Sequence, residues 1–124
     1  MRDTSIRARV MIDAGGRMEK TYEQKLKTRV ERECFGLCLK LVTPGFTGIP
    51  DRLILLPIGR VVFVETKDTG KKERKRQDYV HGLLRKFGFT VFSTVNSIER
   101  VNEVVVHCKL LLESVGFRRE VHPS

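Results

Sequence analysis

Residues 50–67 read PDRLILLPIGRVVFVETK, and this stretch decides the fold expected for the chain. It contains two apolar runs, residues 53–56 and 61–64, separated by Pro57, Ile58 and Gly59. Short aliphatic and β-branched runs joined by a three-residue loop with glycine are typical of a β-hairpin. Proline at the first loop position and glycine at the last suit a type I turn followed by a left-handed residue. The segment therefore predicts two antiparallel strands.

The length of this loop determines which residues of the two strands face each other. If Leu56 lies opposite Arg60, counting outward places Asp51 opposite Glu65, and directly opposed side chains have Cβ atoms about 4.5–5.5 Å apart. Side chains alternate between the faces of a strand, so Lys67 projects on the same face as Glu65. The hairpin thus predicts two carboxylates and one ammonium group close together at one end of the strands.

This cluster has the chemistry of a phosphate-cleaving site. Two facing carboxylates repel each other, and a hard divalent cation such as Mg²⁺ relieves that repulsion because it prefers oxygen ligands. Such a metal polarises a phosphoryl oxygen and lowers the pKa of a bound water, while the Lys67 ammonium group orients that water or stabilises developing charge. Thr66 is expected to point away, leaving its backbone carbonyl near the carboxylates. The alternative is a carboxylate pair neutralised by Lys67, without a chemical role.

Glu23 is a third acidic candidate, on a predicted helix that begins with a capping box at Thr21 and ends near Gly36. Leu26 and Val30 follow it by three and seven residues, so Glu23 lies on the face that packs inward and can approach the sheet carboxylates. The alternative is that an acidic residue in the first turn simply complements the helix dipole.

Gln77 is a candidate from a second predicted helix over residues 75–87. That helix has one apolar stripe, formed by Val80, Leu83, Leu84 and Phe87. Gln77 precedes Val80 by three residues and therefore points inward with the stripe. An inward amide at a helix start either bonds to the backbone or supports the site by holding a carboxylate or the attacking water.

Taken together, Glu23, the segment Gly48-Ile49-Pro50-Asp51, the segment Glu65-Thr66-Lys67 and Gln77 resemble the motifs of the PD-(D/E)xK nuclease superfamily. Within it the chain is most similar to the virus-type replication-repair nuclease domain, VRR-NUC, over residues 22–95. The resemblance implies an α/β, restriction-endonuclease-like core with a central mixed β-sheet flanked by helices. Relatives often carry a small hydroxyl residue three positions before the glutamine, where this chain has Arg74.

The resemblance also implies a role for each motif residue. Asp51 and Glu65, with the backbone carbonyl of Thr66, would bind Mg²⁺ or Mn²⁺, and Glu23 would join them directly or through water. Lys67 would position the nucleophile. Gln77 would support the site from its helix.

The activity implied by the resemblance is metal-dependent endonucleolytic cleavage of DNA. Small standalone members resemble dimeric resolvases of four-way (Holliday) junctions, and a symmetric junction needs two active sites, hence a homodimer. Two alternatives remain: a flap, restriction-like or general repair nuclease, and a non-catalytic basic nucleic-acid-binding module. The acidic residues argue against the binding module, since carboxylates facing a phosphate backbone do not help binding.

The charge of the chain favours a polyanionic partner. Its 124 residues include 24 Lys and Arg against 15 Asp and Glu, a net charge of +9. The excess concentrates after the predicted site, where the candidate nucleic-acid-binding residues are Lys71, Lys72, Arg74, Lys75 and Arg76. The alternative is a solvated charged loop. Only 7% of the residues are aromatic, so a stacking platform for single strands is not expected.

The length fits one domain, with residues 1–17 as an arm that is flexible or dimer-forming and residues 18–124 as the nuclease domain. No apolar run approaches the roughly 20 residues of a membrane helix, and no secretory signal is recognised, so the expected location is the cytoplasm of a bacterial or phage-infected cell.

The remaining segments complete the expected sheet and its covering helices. Residues 37–42 predict a first strand, residues 89–95 a strand parallel to its neighbour, and Ser97 or Asn96 caps a final helix. The apolar stripe of that helix is wide enough for deep core packing or for a dimer interface. The cysteines lack metal-site spacing and are expected to be buried free thiols: Cys34, Cys38 and Cys108.

Overall fold

The computed structural model describes residues 21–67 and 74–117 of the chain. The predicted arm, residues 1–17, lies outside them. The helices are α1 (Thr21–Glu33), α2 (Lys75–Lys86) and α3 (Ile98–Ser114), and the strands are β1 (Leu37–Lys40), β2 (Arg52–Leu56), β3 (Arg60–Thr66) and β4 (Thr90–Val95). The strands form one sheet in the order β1-β2-β3-β4. The first three are antiparallel and β4 is parallel to β3, which confirms the mixed sheet of an α/β fold.

The hairpin of β2 and β3 has the predicted register. Leu56 pairs with Arg60, and the ladder continues outward as counted to Arg52 opposite Val64. The predicted turn was wrong, because Ile58 and Gly59 both have left-handed backbone angles (φ 64° and 68°), whereas a type I turn needs Ile58 in the right-handed region. Two successive left-handed residues turn the chain in the hand that suits the right-handed twist of the strands.

Helix α1 ends three residues earlier than the sequence predicts, and its left-handed terminal residue is Phe35 (φ 58°) rather than Gly36. Gly36 is needed for a different reason. A Cβ atom at this position would lie 2.4 Å from the backbone oxygen of Leu55, so only glycine lets the chain approach β2 this closely. Strand β1 likewise ends early, at Lys40.

Helices cover both faces of the sheet, as the apolar strands predict. Helices α1 and α3 pack on one face against the larger part of the core, which includes Leu26, Val30, Ile54, Val62, Val64, Val101, Val105 and all three cysteines as free thiols. Helix α2 packs on the other face through Val80 and Leu84 against Phe63 and Val91. None of the helices in the described ranges is long and apolar enough to cross a membrane.

The inner stripe of α2 differs from the prediction at two positions. Phe87 is 65% exposed, because it is the C-cap residue and lies beyond the last helical turn over the sheet. His81 takes an inward position instead; it is fully buried and its Nδ1 lies 2.7 Å from the Ser93 hydroxyl oxygen.

Strand β4 carries a bulge beside the end of β3. Val64 pairs with Phe92 but Thr66 pairs with Val95, so β4 has one more residue than β3 over this stretch. Within it Thr94 adopts a left-handed conformation (φ 56°), which is uncommon for a β-branched residue. Bulges re-aim strands and occur often next to active sites, and this one adjoins the predicted cluster.

Candidate active site

The predicted site residues converge on the C-terminal end of β3, on both faces of the sheet. Val62 and Val64 belong to the core under α1 and α3, and Thr66 continues their alternation. Glu65 and Lys67 point to the opposite face, which α2 covers. At the end of β3, Thr66 therefore faces α1, while Glu65 and Lys67 face α2.

On the α2 face, the amide of Gln77 connects the lysine to a carboxylate. Its Oε1 accepts a hydrogen bond from Lys67 Nζ at 2.7 Å, and its Nε2 donates to Glu65 Oε2 at 3.2 Å. The Lys67 ammonium group also lies 3.5 Å from Glu65 Oε2. Gln77 Oε1 in addition accepts the backbone N–H of Arg74, the N-cap residue, at 3.2 Å. The amide thus has both of the roles that the sequence left open, and it satisfies the helix start where Arg74 replaces a small hydroxyl residue.

On the α1 face, the hydroxyl of Thr66 lies between two carboxylates. Its Oγ1 is 2.7 Å from Asp51 Oδ2 and 2.9 Å from Glu23 Oε2. The alternation of β3 does point Thr66 away from Glu65, but the sequence assigned it only a backbone carbonyl and missed the hydroxyl. A hydroxyl carries one hydrogen, so it donates to only one of the two oxygens at a time.

Asp51 lies across the end of β3 and joins the two faces. Its backbone N–H donates to Glu65 Oε1 at 3.1 Å, while its Oδ1 accepts the backbone N–H of Thr66 at 2.9 Å. The two residues are therefore in contact, but the ladder ends at Arg52 opposite Val64, and the group of Asp51 bonded to Glu65 is the backbone N–H rather than the carboxylate. The side chain of Asp51 is bonded to Thr66.

The site is electrostatically strained around Glu65, a residue that is almost completely buried at 6% exposure. Burial raises the pKa of this carboxyl, and the nearby negative charge of Asp51 raises it further, while Lys67 acts in the opposite direction. Two carboxylates held this close to each other favour the binding of a proton or a metal cation.

Arg52 is a site residue that the sequence reasoning missed. Its guanidinium NH2 lies 2.6 Å from Glu23 Oε1, and both side chains are largely shielded from solvent. Because Glu23 Oε2 contacts the Thr66 hydroxyl, a continuous chain runs from Arg52 through Glu23 and Thr66 to Asp51. The sequence did offer a signal. Arg52 lies two residues before Ile54 on the same strand, so its side chain points to the same face as Ile54, which faces the core. A charge buried there requires a partner.

The oxygen donors of this site suit a hard cation. Within the described ranges, no three His, Cys, Asp or Glu side chains are grouped closely enough to form a metal site by themselves. Mg²⁺, however, is commonly held by one or two carboxylates, with waters and substrate phosphates completing its shell. Asp51 and Glu65, which are in contact through the Asp51 backbone N–H, could supply these two carboxylates.

The predicted nucleic-acid-binding residues fall into two groups. Lys71 and Lys72 lie outside the described residues. Arg74 and Lys75 are exposed at the start of α2. Arg76 is also exposed, but it contacts the loop before β2: its Nε donates to the Thr47 carbonyl at 3.1 Å.

Comparison with known proteins adds two relatives. No family model matches the chain. Over 73 residues, 59% of this chain and 77% of the relative, it is 40% identical to "Putative nuclease p44" of Acyrthosiphon pisum secondary endosymbiont phage 1. A solved structure described as "VRR_NUC domain" superposes with a TM-score of 0.57 and 32% sequence identity, covering 69% of this chain and 96% of that one. Both similarities agree with the resemblance of the motifs.

Proposed function

This chain belongs to the VRR-NUC family of nucleases, and from that premise we propose that it is a metal-dependent endonuclease hydrolysing phosphodiester bonds in DNA. The observation that carries the proposal is the convergence of Asp51, Glu65 and Lys67 at the end of β3. A purely structural ion pair would need one acid and one base. Here the lysine is shared with an amide, and a second carboxylate adjoins the first.

The metal would be Mg²⁺ or Mn²⁺, held by Asp51, Glu65 and the backbone carbonyl of Thr66, with Glu23 joining directly or through water. When bound, such an ion polarises a phosphoryl oxygen and lowers the pKa of a coordinated water. The raised pKa of Glu65 supports this assignment, because burial and the nearby charge of Asp51 both disfavour the free carboxylate and a bound cation would relieve that penalty.

The chain's own groups position the reactants. Gln77 and Glu65 hold the Lys67 ammonium group, whose side chain is only 12% exposed, in one place. From there it can orient the attacking water and stabilise negative charge on the phosphate. The chain of contacts from Arg52 through Glu23 and Thr66 holds the Asp51 carboxylate in its orientation over β3.

The substrate we propose is branched DNA, preferentially a four-way junction, cut by a homodimer. The resemblance to small junction resolvases supports this choice. So does symmetry, because two cuts across a symmetric junction require two active sites. The net charge of +9 supports a polyanionic substrate, with Lys71, Lys72, Arg74, Lys75 and Arg76 as candidate phosphate contacts.

The test is cleavage of a labelled four-way junction, with a flap and a linear duplex as controls, in Mg²⁺, Mn²⁺ or EDTA. The wild-type protein is compared with Lys67→Ala and with Lys86→Ala, a lysine near the opposite end of α2 that serves as the control. We expect paired symmetric cuts that need metal, are lost in Lys67→Ala and persist in Lys86→Ala.

Two other outcomes would change the assignment. Cleavage mainly of the flap, or equally of all three DNAs, would keep the active site and replace the junction as substrate. Tight DNA binding without cleavage in either metal would contradict the enzymatic proposal and leave a nucleic-acid-binding module.

A further inference from the structure

Two large aromatic side chains lie exposed beside the candidate active site. Phe46 is 43% exposed and Tyr79 is 62% exposed. The guanidinium carbon of Arg76 lies 4.8 Å from the ring centre of Phe46 and 5.7 Å from that of Tyr79, within cation–π range. We call these three residues the aromatic platform. The sequence argued against a stacking platform, because aromatic residues are few, and the two rings come from segments far apart in the chain.

The loop that carries Phe46 is held in one conformation by its own turn. The backbone N–H of Phe46 donates to the Thr43 carbonyl at 3.2 Å, and the Thr43 hydroxyl donates to the Phe46 carbonyl at 2.9 Å. Pro44 and Gly45, the latter with φ 84°, occupy the two central positions, as in a type II turn. The ring of Phe46 is therefore presented on a closed turn.

The same loop is attached to α2 at two further points. Arg76 Nε donates to the Thr47 carbonyl at 3.1 Å. Gly48 packs so closely on the helix that an added Cβ would lie 2.9 Å from the Arg76 backbone oxygen. Because the platform is ordered before any ligand arrives, binding to it has a smaller entropic cost.

The platform adjoins the site in sequence on both of its elements. Phe46 lies in the loop that leads directly into Asp51, and Arg76 is the residue immediately before Gln77. The same loop and the same helix therefore carry both the platform and a residue of the site. The stacked guanidinium adds positive charge at this place, which favours a nucleic-acid strand over an apolar ligand.

We propose that the aromatic platform stacks an unpaired nucleobase of a DNA strand beside the scissile phosphate. Every base has a π face, so aromatic rings bind bases with little regard to sequence, and arginine adds a cation–π contribution. Branch points, flaps and frayed ends provide unpaired bases, whereas continuous duplex does not. The inference rests on the proposed function, since it names the part of the substrate that the same site would recognise.

The test compares DNA strands with and without bases. The full chain is titrated, in EDTA and at one fixed salt concentration, into a fluorescein-labelled thymidine oligonucleotide. A second oligonucleotide of equal length has abasic sites in its centre and so keeps the phosphates. The variants are Tyr79→Ala and Phe46→Ala, with Tyr79→Phe to retain the ring. Phe87→Ala is the matched control: it removes an aromatic residue that is 65% exposed at the other end of the same helix.

We expect Tyr79→Ala and Phe46→Ala each to weaken binding of the base-containing strand by about tenfold, a typical effect of removing one stacking ring. Binding of the abasic strand should change less than twofold, and Tyr79→Phe and Phe87→Ala should resemble wild type. Equal losses on both strands, no loss on either, or the same loss in Phe87→Ala would overturn the inference. Since Tyr79 is mostly exposed, its truncation tests the platform even if Phe46→Ala does not fold.

This readout is separate from that of the proposed function. A wild-type protein that cleaves no DNA would contradict the nuclease proposal, while the comparison of intact and abasic strands still decides on the platform. If the protein cleaves DNA but its variants bind the intact and the abasic strands with equal losses, the platform proposal alone would be contradicted.

Discussion

The hydroxyl of Thr66 shows how much one atom contributes to this site. It lies within hydrogen-bond distance of Asp51 Oδ2 and Glu23 Oε2 in a place shielded from solvent. A hydrogen bond to a charged group contributes more to stability than a neutral one, and leaving a shielded carboxylate unsatisfied is costly. Thr66 therefore links Glu23 of α1 to Asp51, the residue before β2.

Replacing Thr66 by valine keeps the branched shape and removes the hydroxyl. We expect Thr66→Val to lower the free energy of unfolding by about 1–3 kcal/mol, the usual cost of an unsatisfied buried polar group. Urea denaturation at neutral pH measures this, with Thr66→Ser as the control that retains the hydroxyl. A valine variant as stable as wild type, or a serine variant that loses as much, would contradict this role.

Glycine is required at one position of the loop before β2 for packing as well as for conformation. Gly45 and Gly48 both have positive φ, 84° and 96°. A Cβ at Gly45 would meet nothing within 4 Å, whereas at Gly48 it would lie 2.8 Å from Val80 Cγ2. A substitution at Gly45 therefore tests backbone strain alone, whereas one at Gly48 adds steric overlap with α2.

We expect Gly45→Ala to cost about 1–2 kcal/mol from its left-handed conformation alone. Gly48→Ala should cost about 1–3 kcal/mol more, because the loop must move away from α2. It should also reduce DNA cleavage, since this loop leads into Asp51. Thermal unfolding and cleavage rates measure both effects. Equal melting temperatures for the two variants would show that the close contact of Gly48 with α2 does not contribute.

At the scale of elements, an ion cluster joins α1 to α3 on the face away from α2. Glu33 accepts hydrogen bonds from Arg29 Nε at 2.7 Å and from Arg29 NH2 at 3.0 Å, and Lys109 Nζ of α3 lies 2.6 Å away. The Arg29 and Lys109 bonds lower the pKa of Glu33 to about 2. The charged form is therefore favoured in the folded state.

This shift predicts a pH-dependent contribution to stability. Because the pKa is lower in the folded than in the unfolded chain, the contribution is complete above the unfolded value of 4.5 and is lost as the pH falls towards 2. Glu33 is about one-third exposed, so solvent screening limits the effect of Glu33→Gln to about 1 kcal/mol or less at pH 7. Chemical denaturation of both proteins from pH 7 to pH 2.5 should show the difference shrinking, and a constant difference would contradict the assignment.

The elements themselves followed from local patterns, with informative exceptions. Hydrophobic periodicity predicted three helices and four strands, and the hairpin loop length predicted the register of β2 and β3. The left-handed residues Ile58, Phe35 and Thr94 were not predicted, because β-branched and aromatic residues disfavour that conformation. Tertiary contacts override the local preference at a turn, a helix end and a bulge.

For the whole molecule, the outer side of α3 carries exposed apolar side chains among polar ones. Val106 is 44% exposed and Leu110 is 58% exposed, while Val101, Val105 and Leu112 of the same helix are buried. The stripe predicted from the sequence is thus divided between the core and an open surface. An exposed apolar surface of this kind favours association with a second copy.

We expect the protein to sediment as a homodimer and Leu110→Glu to sediment as a monomer, since a charge at an apolar interface is costly to bury. Ile58→Glu is the control: Ile58 is also 58% exposed, but it lies on the hairpin loop. Sedimentation equilibrium at several protein concentrations measures this. A dimer that survives Leu110→Glu would place the interface elsewhere, and a monomeric wild type would contradict the expected assembly.

The sequence by itself determined how the central motif is arranged. Strand alternation and a three-residue loop are local properties, and they brought Asp51, Glu65 and Lys67 to one strand end. Helix periodicity placed Glu23 and Gln77 on inward faces, again from neighbouring residues alone.

Only the tertiary structure decided which groups of different elements touch. The placement of Thr66 between Asp51 and Glu23, the ion pair of Arg52 with Glu23, and the aromatic platform all join segments far apart in the chain. These contacts depend on how α1 and α2 pack on opposite faces of the sheet. That packing is set by side-chain volumes and the twist of the sheet as a whole, which no local pattern encodes.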